Sequence, residues 1–230
     1  DTFFSEDELK ISKRFINKLY NASKFAIMQL NDFKKPESYD ESMLLPVDRW
    51  VLQRVNETTI KVTSMLNNYE IGQARHEIDN LFWRDFCDYY IEIAKERLYQ
   101  PLIHGTEQRY SGQIAVYYGL LGILKLYAIY TPYVTEYIYQ DFYRKYEKEI
   151  SLHETLWETT ETDEIYVEFG EHLKEVIAEV RKSKTERKMS MKDSIPELII
   201  TCPKKFRDFY KKSEKDIKAC TGAEKIIIRN

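Results

Sequence analysis

Apolar residues recur three and four positions apart along most of this 230-residue chain, and seven glycines and six prolines are all that could interrupt them. That period lines residues up on one face of a helix, and so few turn formers leave little material for a many-stranded fold. Ser5-Glu-Asp-Glu8 has capping-box spacing, so a helix is predicted to start there. Ile11, Phe15, Leu19, Ala22, Ala26 and Leu30 carry it to about residue 31, ahead of Lys34-Lys-Pro36. A second helix is predicted from Pro46 to Asn67-Asn68, on Val47, Trp50, Val51, Val55, Val62 and Leu66, and a third from Ile71 through Ile93, closed before Pro101. Gly112 to Tyr130 is apolar nearly all round, the mark of a central helix covered by its neighbours. Thr131-Pro132 breaks it, and a further helix continues to about Tyr146.

Residues 149 to 166 are acidic, Thr-rich and aperiodic, and read as a loop. Phe169, Leu173, Val176, Ile177 and Val180 mark a last long helix. Beyond it Glu197–Cys202 reads as a strand, Pro203 to about Ala219 as a short basic helix, and Lys225–Arg229 as a second strand. The expected fold is mainly α: a bundle of about five long helices over residues 1–190, with a small C-terminal α/β appendage over 191–230.

Residue chemistry gives little support to catalysis. His76, His104, His153 and His172 form no metal-binding spacing, and Gly105, Gly112, Gly119 and Gly122 match no phosphate-binding loop. Glu92 and Glu96, beside Lys95 and Arg97, have the pattern of solvated ion pairs. No Ser or Cys has a context that would position a base, so no catalytic residue and no metal site is assigned. Cys87, Cys202 and Cys220 are an odd set without a C-x-x-C pair, read as reduced thiols of a cytoplasmic protein. Neither a membrane span nor a secretory leader is expected, and an opening at Asp1 without an initiator Met points to an excised piece of a longer protein.

The net charge of −3 says less than its distribution. Lys10 to Lys35 carries seven basic residues against Asp32, whereas Glu147 to Glu171 carries nine acids against Lys148. On the first helix Arg14, Lys18, Asn21 and Phe25 fall at i, i+4, i+7 and i+11, a stripe displaced about 60° from the apolar one. A ridge of two cations, an amide and a ring suits an unstacked RNA base, with the ring stacking, the cations meeting phosphate and the amide reading a base edge. The same stripe also reads as a basic flank with Phe25 as peripheral core, and spacing alone leaves both open.

Several segments nevertheless resemble a known family. Asn17-Lys-Leu-Tyr-Asn-Ala-Ser-Lys-Phe25, Leu45-Pro-Val-Asp-Arg-Trp50, Phe82-Trp-Arg-Asp-Phe-Cys-Asp-Tyr-Tyr-Ile-Glu92 with Lys95 and Arg97 behind it, and Thr131-Pro-Tyr-Val-Thr-Glu136 resemble, in order and spacing, the region after the catalytic core of valyl-tRNA synthetases. Ser151-Leu-His-Glu-Thr-Leu-Trp157 is similar to that family's next marker, so the resemblance covers roughly residues 1 to 190. It implies the anticodon-binding bundle of a class I synthetase, whose first helix meets the anticodon loop of tRNA(Val) and offers its terminal aromatic to anticodon bases. Carried over residue by residue, it implies Lys18, Lys24 and Phe25 as tRNA contacts; the stripe adds Arg14 and Asn21. Trp50 and the Phe82–Glu92 run also match, and their apolar spacing assigns them to the core.

The resemblance further implies a catalytic core on the same polypeptide, ATP and Mg used by the parent and no cofactor in this segment, with no membrane or DNA partner. Lys188-Met-Ser-Met191 resembles the KMSKS loop only superficially, because it follows the bundle. The HIGH signature, nucleotide-binding fold and editing domain are absent from these residues, so the segment is expected neither to activate valine nor to hydrolyse mischarged tRNA. The basic segments Arg181–Lys192 and Lys204–Lys218 read as solvated faces. The alternatives are the matching domain of an isoleucyl enzyme and a helical protein-interaction module.

Overall fold

The computed structural model describes residues 5–229, the side chains of Glu8 and Pro101 excepted. α1 (Glu6–Met28) begins where the capping-box spacing placed it, and the reciprocal contact expected of Glu8 lies outside the described residues. Phe15, Leu19, Ala26 and Leu30 are buried, while Ile11 at the far end of the stripe is exposed. The helix stops short of residue 31, because Gln29 and Leu30 close tighter turns onto the carbonyls of Ala26 and Ile27. The Gln29 carbonyl then accepts from Gln113 Nε2 at 2.9 Å.

α2 (Pro46–Asn67) starts on a proline whose missing N–H is no loss in a first turn. The third apolar run is continuous but changes its winding: α3 (Ile71–Asp79) passes into a π-helix over Asn80–Ile91 and then into α4 (Glu92–Tyr99). The wider winding, bonded i to i+5, sets inward positions four and five apart, and Leu81, Phe82, Asp85, Phe86, Tyr90 and Ile91 are all buried. α5 (Pro101–His104) is a single turn that no periodicity announces. α6 (Thr106–Tyr127) is the central helix, buried on nearly every side from Ser111 to Tyr127.

α7 (Pro132–Phe142) restarts after the break at Thr131 and ends in a tight turn over Tyr143–Lys145. The acidic stretch is irregular apart from one turn, Leu152–Glu154, before α8 (Glu164–Glu186). The appendage is a β-α-β unit of β1 (Ile195–Thr201), α9 (Arg207–Lys212), α10 (Glu214–Thr221) and β2 (Ala223–Arg229). Its strands are parallel, paired from Ile195 with Ala223 to Thr201 with Arg229. The one basic helix expected between them is two, because Ser213 leaves helical geometry at ψ 6° and both ends α9 and opens α10. Gly222 turns α10 into β2 at φ +72°, where a Cβ would stand 2.7 Å from the Asp193 carbonyl oxygen.

One buried ionic node ties these pieces together. Arg97, on α4, is fully buried rather than part of a solvated row; only its neighbours Lys95 and Glu92 make the exposed pair expected there, at 3.6 Å. Its Nη1 and Nη2 donate to the two carboxylate oxygens of Asp48 on α2 at 2.9 and 2.6 Å. Its Nε lies 3.0 and 3.1 Å from those of Asp216 on α10, and Nη1 also reaches the Gln108 carbonyl on α6 at 2.7 Å. The Tyr90 hydroxyl donates to Asp48 at 2.8 Å, and Ser111 Oγ donates to the same carboxylate while accepting from Leu45 N–H. Gly112 allows this approach, since a Cβ there would stand 2.6 Å from Arg97 Nη1.

Two carboxylates thus face one guanidinium away from water. Burial opposes the charge on Arg97, but Asp216 and Asp48 outweigh it and raise its pKa. At Asp216 burial prevails over the attraction of Arg97 and lifts the carboxyl above its ordinary range.

Replacing Arg97 by Met strands two buried carboxylates and is expected to cost about 3–5 kcal/mol in urea unfolding. Asp216→Asn leaves the Arg97–Asp48 pair intact and should cost clearly less; the reverse order contradicts this description of the node. The raised Asp216 carboxyl means that the folded protein keeps that proton to higher pH than the unfolded chain. Folding stability should therefore fall as pH rises from the ordinary carboxylate pKa through the raised one, and Asp216→Asn should lack that component.

Candidate nucleic-acid interface

Arg14, Lys18, Asn21 and Lys24 are all exposed on α1, and Phe25 is half-buried. Two of the five are set by the π-helix and α4. Lys18 Nζ lies 3.4 Å from the centroid of the Trp83 ring, and Phe25 meets Tyr99 edge-on, with ring centroids 5.8 Å apart and planes at 62°. Seven residues of helix separate Lys18 from Phe25, about 10 Å along one face. Arg14 and Asn21 share that stripe, and neither has a side-chain hydrogen bond or ion pair among the described residues. Lys24 is turned away: it borders a small recess with Tyr20, Ile27, Ile138 and Asp141, on the α7 flank.

The Phe82–Glu92 run departs from its assignment to the core at two rings, Trp83 and Tyr89, both half-buried. Phe82, Phe86 and Tyr90 are buried, as is Trp50 on α2. Trp83 is half-buried and turns to α1, where it meets Phe15 at 6.1 Å and carries the Lys18 ammonium on its face. Tyr99 and Trp83 are the residues the sequence reading missed. Tyr99 did have a signal, a large ring just before the Gln100-Pro101 break, and the same break leaves Leu102 fully exposed.

Charge pairing sharpens the difference between the two ends. Lys10 pairs with Asp7 and Lys35 with Glu147, while Arg109 donates to Asp32 and holds its carboxyl below the usual range. Lys13, Arg14, Lys24 and Lys34 have no carboxylate partner among the described residues. Of the nine acids from Glu147 to Glu171, Glu147 pairs with Lys35, Asp163 with Arg49, Glu168 with Lys205 and Glu171 with Lys174, while Glu149, Glu154, Glu158, Glu161 and Glu164 have no ion pair among the described residues. The free charge of α1 is therefore positive, and the ring at its end is supported from one side. Among the described residues no three His, Cys, Asp or Glu side chains converge to hold a metal, and no helix is long and apolar enough to cross a membrane.

A helical bundle with an open basic ridge is one form an RNA-reading module takes, and here the class is defined by more than shape. Residues 48–200 match the family described as the anticodon-binding domain of tRNA ligase, and the chain belongs to that family. The full-length relatives it is similar to are valine–tRNA ligases. It is 34% identical to that of Ehrlichia canis (strain Jake), with 100% of this chain aligned to 28% of the relative. It is 32% identical to that of Wolbachia pipientis wMel, over 98% of this chain and 26% of the relative, and 33% identical to that of Rickettsia rickettsii (strain Sheila Smith), over 85% and 25%. The chain spans about a quarter of the length of these curated relatives. α1 precedes the family match but falls within the alignment to the Ehrlichia canis protein.

The Lys18–Trp83 contact is open to a direct check in the absence of RNA. A double-mutant cycle of Lys18→Gln and Trp83→Leu, read by thermal unfolding, should return a coupling of about 0.5–1 kcal/mol. Additive losses would show that the ammonium is not held on the ring.

Proposed function

We propose that this chain is the anticodon-recognition part of a valine–tRNA ligase, whose parent protein joins valine to tRNA(Val) with ATP and Mg. Phe25 carries the reading: in a chain of the anticodon-binding family, it is a half-buried ring braced edge-on by Tyr99 at the end of a stripe of exposed cations. A base freed from the loop stacks on Phe25, a contact of the kind that contributes about 1–3 kcal/mol per base. Arg14 and Lys18 neutralise phosphates on that face, Asn21 reads a base edge, and Lys24 meets the backbone on the α7 flank.

Recognition in this reading is binding alone, and no residue of the chain is given a catalytic role. ATP and Mg belong to the catalytic core elsewhere on the same polypeptide, and no step is routed through either here. The parent acts in the cytoplasm, with no membrane or DNA partner. Within the chain, 1–190 is the anticodon-binding bundle and 191–230 an appendage, joined to it by the buried pairing of Arg97 with Asp216.

Phe25→Ala should weaken binding to a hairpin RNA carrying the valine anticodon by about fivefold or more in fluorescence titration at fixed salt. Lys34→Ala should weaken it by about twofold, as loss of one exposed phosphate contact. Equal losses would remove the stacking claim. Binding should fall steeply as salt rises, whereas salt-indifferent binding would speak for a protein-interaction module. A competing hairpin with an isoleucine anticodon should displace the RNA poorly; equal displacement would move the assignment to an isoleucyl enzyme.

A further inference from the structure

A hollow of about 340 Å³ lies between α2, α6 and the acidic stretch, lined by residues that the anticodon reading does not use. Its outer wall is pinned to α2. Asn56 Nδ2 donates to the Thr160 carbonyl at 3.0 Å while Oδ1 accepts from the Thr160 N–H at 2.9 Å, and Gln53 Oε1 accepts from the Asp163 N–H at 2.9 Å. α2 and α6 close its floor, since a Cβ on Gly122 would stand 2.5 Å from Val55 Cγ1. Leu52, Val55 and Leu121 make the lining apolar. The Tyr39 and Tyr118 rings, 5.0 Å apart, and the half-buried Trp157 make it aromatic.

Its polar groups are donors short of acceptors. Lys125 is half-buried, its Nζ donates once, to the Leu156 carbonyl at 3.0 Å, and it has no carboxylate partner among the described residues. An ammonium carries three N–H groups, so two are left over. Burial lowers the pKa of Lys125, although Glu147, Glu158 and Glu149 act the other way. A ligand carboxylate would give this cation the counter-charge it lacks. Neither the Tyr39 nor the Tyr118 hydroxyl has a hydrogen-bond partner among the described residues. Burial pushes both phenols up, that of Tyr39 to about 12, so each is a donor at neutral pH. Glu158 is exposed at the rim, and with the other unpaired acids of its stretch it opposes a ligand of several negative charges, such as a phosphate chain. Spare donors beside apolar and aromatic walls suit one negative charge on a flat body. We infer that this hollow binds a small aromatic monocarboxylate, its carboxylate on Lys125 Nζ and the two tyrosine hydroxyls and its ring against Leu52, Val55 and Leu121. The inference is independent of how Phe25 meets RNA.

The probe is phenylacetate, titrated into the isotope-labelled chain while the indole N–H resonances of Trp50, Trp83 and Trp157 are followed by nuclear magnetic resonance, that of Trp157 being assigned by its loss in Trp157→Phe. The Trp157 signal should shift saturably, with a dissociation constant in the millimolar range or tighter, while those of Trp50 and Trp83 stay in place. Phenylacetamide, of the same shape without the charge, and phenyl phosphate, with a second charge, should each bind about tenfold or more weaker. Lys125→Gln should weaken phenylacetate by about tenfold or more and leave the amide unchanged. Because Lys125 also holds the Leu156 carbonyl, Tyr39→Phe and Tyr118→Phe supply a second reading in which that bond survives. Each should weaken phenylacetate by about threefold, with thermal unfolding confirming that the variants are folded. No saturable shift of Trp157, an amide or phosphate that binds as tightly as the carboxylate, or a folded Lys125→Gln chain that binds phenylacetate unchanged overturns the site. If Lys125→Gln does not fold, the tyrosine variants decide, and undiminished binding in both overturns it.

Discussion

A guanidinium buried with no access to water must be met by carboxylates, and that requirement fixes the relative placement of four helices here. Asp48 sits in the first turn of α2, Arg97 near the end of α4, Gln108 and Ser111 in α6, and Asp216 in α10. Asp48 saturates one edge of the guanidinium, and Nε is left for Asp216. The β-α-β appendage therefore completes the core rather than hanging from it. A partly assembled node would leave an unpaired charge in a low dielectric, which is far costlier than the intact cluster is stabilising.

The consequence for function runs along α4. Arg97 is two residues from Tyr99, so the node that holds the helix also holds the ring that braces Phe25. Rigid support beneath an exposed surface suits recognition, because little further ordering is needed when a partner binds. Charge is divided in the same spirit. Four acids of the 147–171 stretch are taken up by Lys35, Arg49, Lys174 and Lys205, and much of the positive charge of α1 is left unpaired. A chain with a net charge of −3 thereby presents a basic ridge on the face that carries Phe25.

The sequence made the helices legible wherever apolar period and punctuation agreed. Pro46 and Asn67 bound α2 as expected, the all-round apolar run became the central helix, and the isoleucine-rich segments at the end formed strands. Four features were hidden, each for a physical reason. The π winding over Asn80–Ile91 changes hydrogen bonding by one residue per turn, which an apolar pattern of threes and fours does not distinguish. Arg97 stood among Glu92, Lys95 and Glu96 like one more solvated charge, since its true partners lie 49 and 119 residues away. Trp83 looked like core because its neighbours are core. Of the five ridge residues, the helix period placed Arg14, Lys18, Asn21 and Phe25 on one stripe, but only coordinates separate Lys24 onto the α7 flank.

The central claim is that the Phe25 ring is where a base of the RNA loop comes to rest, and ring-to-base contact can be observed without reference to affinity. With the phenylalanine rings selectively protonated in an otherwise deuterated chain, a nuclear Overhauser spectrum of the complex with the valine-anticodon hairpin should show cross-peaks between Phe25 ring protons and the protons of a loop base. Cross-peaks from the RNA loop to other parts of the chain, with Phe25 silent and its ring shifts unchanged from the free protein, would contradict it.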